Sequence, residues 1–144
     1  MKMVQLIVGT KGTGKTKKMI DLANETVTSS KGSIVFINKN QRLMYDLKHD
    51  IRVVCMEDYP EIDNSDEYIG FLHGILSGDH DIEYIFIDSI LKHAEINVEH
   101  VPEFLNRIMN IAEKYGPKFV VSLSADLSDL KDIVTDIDHY KILN

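Results

Sequence analysis

Cysteine is nearly absent from this sequence, Cys55 being the only one. No internal disulfide can form and no cysteine-rich zinc site can be built, which fits a reducing cytosol. Long apolar runs are missing as well. None approaches membrane-spanning length, and the first residues lead straight into a strand pattern, so neither a membrane span nor a signal peptide is expected. Positive charge is in deficit, with 16 Lys and Arg against 23 Asp and Glu and a net charge of −7. That argues against the broad basic face on which nonspecific nucleic-acid binding depends. The histidines at 49, 73, 80, 93, 100 and 139 show no paired metal-ligand spacing, and Asp79-His80-Asp81 reads as a polar turn. No repeat, low-complexity tract or linker interrupts the chain. At 144 residues, with 44% hydrophobic and 27% charged content, one domain spanning 1–144 is expected.

What the sequence does have is Gly9-Thr10-Lys11-Gly12-Thr13-Gly14-Lys15-Thr16, which satisfies G-x-x-x-x-G-K-[ST] at every specified position. The context the motif requires is present too. Met3 to Val8 reads as a buried strand entering Gly9. From Thr16 to Ser29 the residues Met19, Ile20, Leu22, Ala23 and Val27 follow helical spacing. Glycines let the backbone wrap an anion with its N–H groups inward, and the following helix presents unpaired amides and a positive dipole end to the same point. In this reading Lys15 reaches the β- and γ-phosphates and Thr16 contributes a hydroxyl to Mg²⁺. Lys11 lies in the variable part of the loop.

Strand and helix patterns alternate along the rest of the chain. Ile34 to Ile37 is a second strand; Asn38 and Asn40 are placed to cap a short helix carrying Leu43, Met44 and Leu47; Ile51 to Met56 is a third strand. Asn64 with Glu67 three residues on signals a helix start, and Gly78 its stop. Tyr84 to Asp88 is a fourth strand. A charged loop from Lys92 to His100 precedes a helix that begins near Pro102 and ends at Gly116-Pro117. Phe119 to Ser124 forms a fifth strand, Ser128 to Ile137 a short helix, and Tyr140 to Leu143 a last strand. The fold class expected is α/β, a three-layer α/β/α sandwich on a mostly parallel sheet of five to six strands.

Four apolar residues ending in a carboxylate, Tyr84-Ile85-Phe86-Ile87-Asp88, match the metal-side strand called Walker B, as Gly9 to Thr16 matches Walker A. Asp88 would then hold Mg²⁺ through a water or with Thr16. With both motifs the chain resembles the P-loop NTPase superfamily over nearly its whole length, as one minimal core. Its order of elements is more similar to the branch of RecA-like ATPases and thymidine-kinase-like proteins than to GTPases. The zinc-bearing insertion of thymidine kinases, with its four cysteines, is excluded by the single cysteine. Many members of that branch place a glutamate directly after the Walker B aspartate to polarise the attacking water. This chain has Ser89 there, and a serine is a poor general base at neutral pH, so fast hydrolysis is not expected. His93, Glu95, Glu99 and His100 are substitutes by position, although a solvated loop accounts for them more simply. In related ATPases a polar residue at the end of the next strand senses the γ-phosphate. That resemblance singles out Ser124, favoured over Ser122 by alternation, although Ser124 or Asp126 capping the next helix fits equally well.

ATP is the default nucleotide by elimination. Asp88 is not followed by the D-x-x-G of G-proteins, and Asn38-Lys39-Asn40-Gln41 lacks the carboxylate of a guanine-reading N-K-x-D. Arginine occurs only at 42, 52 and 107. Arg52 opens a strand and Arg107 lies within a helix, so the sequence places no obvious arginine in cis and stimulation is expected from a protein partner or a second copy. Three functions follow from this: a Mg-ATP-binding protein with slow or partner-dependent ATPase activity, a small phosphotransferase acting on a hydroxyl, and a nucleotide-gated interaction module whose 92–100 loop closes on ATP.

Overall fold

Apolar residues on both sides of successive strands mark a sheet that is covered on both faces. A computed structural model of the chain describes residues 2–42, 44–89 and 97–144. It contains six strands: β1 (Val4–Gly9), β2 (Ser33–Asn38), β3 (Ile51–Cys55), β4 (Ile82–Ile87), β5 (Lys118–Ser124) and β6 (Lys141–Ile142). All pair in parallel, in the order β3-β2-β4-β5-β1-β6. Four helices are described: α1 (Lys15–Ser29), α2 (Ser65–Ser77), α3 (Val101–Tyr115) and α4 (Leu127–Ile133). The three-layer sandwich expected from the alternation of elements is present.

Alternation along the strands assigns the layers. Leu6, Val35, Ile37, Ile85, Ile87, Phe119 and Val121 face one way and pack with Leu72 of α2, Leu105 and Ile108 of α3 and Leu130 of α4. Ile7, Phe36, Phe86 and Val120 face the other way, against Met19, Ile20 and Ala23 of α1. Phe36 and Phe86 stack with ring centroids 6.0 Å apart beneath α1. Between α2 and α3, Tyr68 and Phe104 meet edge to face at 6.1 Å. Burying side chains of this size contributes about 2–3 kcal/mol each, which fixes α1 on its own face of the sheet.

Helix starts follow local chemistry. Asn64 accepts the Glu67 N–H at 2.9 Å, and the Glu67 carboxylate accepts the Asp63 N–H at 3.0 Å, a reciprocal cap on α2. Asp126, not Ser124, caps α4, accepting the Ser128 N–H at 2.8 Å.

Two elements are shorter than their patterns predict. After β2 the expected helix is a single 3₁₀ turn, Met44–Asp46, because Asn40 Oδ1 accepts the Arg42 N–H at 3.0 Å and turns the chain locally. Leu43 lies outside the described residues. The helix expected to run to Ile137 ends at Ile133, and a separate 3₁₀ turn covers Ile137–His139. β6 is only two residues long, yet the pairing continues past it. Leu143 N–H reaches Leu6 O at 2.8 Å, and the Asn144 carboxamide exchanges hydrogen bonds with the backbone of Val8, accepting its N–H at 2.8 Å and donating to its carbonyl. No helix among the described residues is long and apolar enough to cross a membrane.

Candidate functional site

Parallel strands deliver their carboxyl ends to one edge of the sheet, where loops and helix N-termini gather. Gly9 ends β1 there, and Gly14, at a φ of 82°, turns the chain into α1. Only glycine adopts that left-handed conformation without penalty, and Gly12 has a similar φ of 84°. Gly9 is needed for a different reason. A Cβ at this position would lie 2.6 Å from Thr13 Oγ1, so the loop folds back onto Gly9 more closely than a side chain allows. Thr13 holds that fold by donating to Thr10 O at 2.8 Å, and Lys15 Nζ donates to the same carbonyl at 3.0 Å. Thr10, Lys11, Gly12 and Thr13 are exposed around the rim.

The helix end behind this loop has an unusual charge pattern. α2 begins with Asp66 and Glu67, α3 with Glu103, and α4 with a capping Asp126 and then Asp129. α1 alone among the described helices has no acidic residue in its first turn and no side-chain cap; it carries Lys15, Lys17 and Lys18 instead. Cations at the positive end of a helix dipole are unfavourable by a few tenths to about 1 kcal/mol each. Lys17 is relieved by Asp21 at 2.8 Å, and Lys18 donates to Leu143 O. Open amides, a positive dipole end and added lysines together are features that favour an anion at this point.

Across β5 from the strand that carries the loop, Asp88 follows β4 on the α1 side and is almost fully buried, at 2% exposure. Its backbone is fixed by a bond from its N–H to Ile37 O at 3.0 Å. Thr16 Oγ1 donates to Asp88 Oδ2 at 2.8 Å, and Ser122 Oγ donates to Asp88 Oδ1 at 2.7 Å. The Ser122 oxygen in turn accepts the Ser89 N–H at 2.8 Å. Ser89 has a φ of 60°, rare for a residue with a side chain, and this bond is one of the contacts that hold it there. Thr16 and Asp88 are thus two oxygen donors at one corner. Oxygen donors of this kind suit a hard cation such as Mg²⁺, which these two side chains would hold. No group of three or more His, Cys, Asp or Glu side chains that could hold a metal is found among the described residues.

Two recesses flank the loop, one on the side of β6, where Ile7, Val8 and Asn144 also line it, and one at the Thr16–Asp88 corner. Gly9, Thr13, Gly14, Lys15 and Lys18 line one of about 320 Å³. A larger cleft of about 530 Å³ is lined by Thr16, Asp88 and Ser89 on one side and by Asn38, Lys39, Asn40 and Arg42 on the other.

The residues singled out by sequence therefore fall in distinct places. Gly9 to Thr16 and Asp88 come together at the edge of the sheet. Ser124 ends β5 opposite Gly9 and is exposed, while Ser122, two residues earlier, bonds Asp88. Glu99 and His100 lie exposed in a 3₁₀ turn before α3; His93 and Glu95, with most of the 92–100 loop, lie outside the described residues. Arg52 faces Asp79 at 3.9 Å and Arg107 bonds Asp66 at 2.7 Å. Sequence reasoning missed Arg42 and Lys39 as site residues, since the turn that carries them bears no motif. Compared with known proteins, the chain matches no family model, and no curated protein is significantly similar to it.

Proposed function

We propose that the chain is a Mg-ATP-binding protein of the P-loop NTPase type, RecA-like in its order of elements, with slow or partner-dependent ATPase activity. The observation that carries this reading is α1. It starts at a left-handed glycine with its amides uncapped and three lysines in its first turn, and its Thr16 hydroxyl lies 2.8 Å from the buried Asp88 carboxylate. In this reading Gly9 to Lys15 hold the phosphates, Lys15 supplies the point charge for the β- and γ-phosphates, and Thr16 and Asp88 hold the metal. Bound Mg²⁺ would neutralise charge developing on the phosphate oxygens. Ser124, beside Gly9, is the candidate sensor at the strand end. ATP is preferred to GTP for want of any guanine-reading motif, and nucleic acid is not an expected ligand.

Slow turnover follows from the residue after Asp88. Ser89 offers no base, and its N–H is committed to Ser122. A protein partner or second copy would supply what is missing, in a cytoplasmic setting. Calorimetry tests the reading: Mg-ATP should bind wild type in the micromolar range, and Lys15→Ala should remove binding. No heat from wild type at millimolar Mg-ATP would refute it.

A second reading, a small phosphotransferase using ATP as donor, is favoured by the 530 Å³ cleft, since pockets of this size accept small molecules. A screen of nucleosides and other hydroxyl acceptors with labelled ATP tests it, and absence of labelled product above background removes it.

A further inference from the structure

The wall of the larger cleft opposite Thr16 and Asp88 is made almost entirely of hydrogen-bond donors. Lys39 and Arg42 supply two cations, and neither forms an ion pair among the described residues. Among the described residues the one carboxylate lining the cleft, Asp88, takes hydrogen bonds from Thr16 and Ser122 and none from these cations. Asn38 and Asn40 have turned their oxygens to the backbone, accepting from Lys39 N at 2.8 Å and Arg42 N at 3.0 Å. What each carboxamide has left to offer a ligand is its N–H₂ group.

This wall is also held in shape. Lys39 O accepts the Glu57 N–H at 3.1 Å and lies 3.6 Å from the Cys55 thiol, so the turn is tied to the end of β3. The two Asn side chains fix the backbone on either side of it. A preorganised donor wall loses little entropy when a ligand arrives. Its charge also runs against that of the chain, which is −7 overall. Two cations in a concave site focus a positive field toward the corner they face.

We infer that Asn38 to Arg42 form an oxyanion-binding wall, on which a phosphate group sits between Lys39, Arg42 and the Thr16–Asp88 corner. The planar fork of Arg42 suits two phosphate oxygens at once, and Lys39 adds a point charge. The inference rests on the nucleotide reading for the identity of the corner but not for the chemistry of the wall. That phosphate has two possible sources, the terminal phosphate of a bound nucleotide or a separate phosphate-bearing molecule.

Calorimetry on the intact chain distinguishes them, using Mg-ATP, Mg-ADP and inorganic phosphate added to Mg-ADP-saturated protein. Wild type is compared with Arg42→Gln and Lys39→Gln, whose folding is checked by circular dichroism. If the terminal phosphate is the occupant, Arg42→Gln weakens Mg-ATP binding about tenfold and leaves Mg-ADP within about twofold, the loss expected for one charge-assisted contact. If a separate molecule is the occupant, both nucleotides bind as before, and inorganic phosphate binds wild type at least about fivefold more tightly than Arg42→Gln. Unchanged affinities for all three overturn the inference, and so does an equal loss for Mg-ATP and Mg-ADP. Should wild type bind no nucleotide, the nucleotide reading fails separately, and inorganic pyrophosphate on the unliganded protein decides. Binding weakened in Arg42→Gln supports the wall; no binding, or equal binding, overturns it.

Discussion

The Ser122 hydroxyl joins two strand ends: it donates to Asp88 Oδ1 at 2.7 Å and accepts the Ser89 N–H at 2.8 Å. One buried oxygen thereby aims the carboxylate that faces Thr16 and secures a residue with a φ of 60°. The side chain is fully buried, so water cannot replace either bond.

Ser122→Ala should therefore cost about 1–3 kcal/mol of stability, measured by urea unfolding, because the Asp88 carboxylate and the Ser89 N–H each lose a partner. Ser124→Ala, at an exposed strand end, should cost less than about 0.5 kcal/mol. Equal costs for the two would show that the Asp88 bond to Ser122 is not what matters at this position.

Gly9 and Thr13 should show coupled behaviour. An alanine at Gly9 meets Thr13 Oγ1 at 2.6 Å, while Thr13 Cβ stays at an ordinary 3.5 Å. Relieving the clash turns the hydroxyl away from Thr10 O and opens the loop. Gly9→Ala should weaken Mg-ATP binding about tenfold or more, yet in a Thr13→Ala background it should add almost nothing. Strictly additive losses in the double-mutant cycle would rule out steric contact as the reason for glycine.

Much of this was legible in the sequence, and what was not has a common cause. The Gly9 to Thr16 loop, α1 and the run ending at Asp88 are local patterns, readable from spacing alone. Ser124 was favoured over Ser122 by alternation, but the two are two residues apart and share a face, so alternation could not choose between them. Register chooses: Ile87 pairs with Val121, which sets Ser122 beside Asp88, whereas Ser124 pairs with Gly9. Register is a relation between distant segments. The same holds for Arg42, whose turn reaches the site only because β2 lies next to β4 in the sheet. The helix expected there was misjudged because the Asn40 side chain competes for the backbone, and composition does not say which will win.

Acid should act on the opposite side of the molecule through Glu83. Its carboxylate accepts from Ser30 Oγ at 2.7 Å, Gly32 N at 2.9 Å and Lys31 N at 3.1 Å. The Ser30 hydroxyl first, and then the Gly32 N–H, hold its pKa below the usual 4.5. A lowered folded-state pKa means that the contribution is complete above 4.5 and fades as pH falls through the folded value. The urea midpoints of wild type and Glu83→Gln should differ at pH 7 and draw together as pH falls below 4.5 through the folded value. A gap that stays constant over this range would show that the clamp does not depend on the charge.

Metal coupling gives the sharpest test of the corner itself. Asp88 presents one oxygen to Thr16 and the other to Ser122, so an amide in its place keeps the shape but exchanges an acceptor for a donor facing a hydroxyl. A neutral amide also draws a Mg²⁺ ion far less strongly than a carboxylate. In wild type, chelating Mg²⁺ with EDTA should weaken ATP binding about tenfold or more, since the ion bridges protein and phosphate oxygens. In Asp88→Asn the affinities with and without Mg²⁺ should fall within about twofold of each other, while the metal-free affinity stays close to that of wild type. Loss of metal-free binding as well would mean that Asp88 shapes the loop rather than holding the ion. An unchanged Mg²⁺ effect would place the ion on other groups altogether.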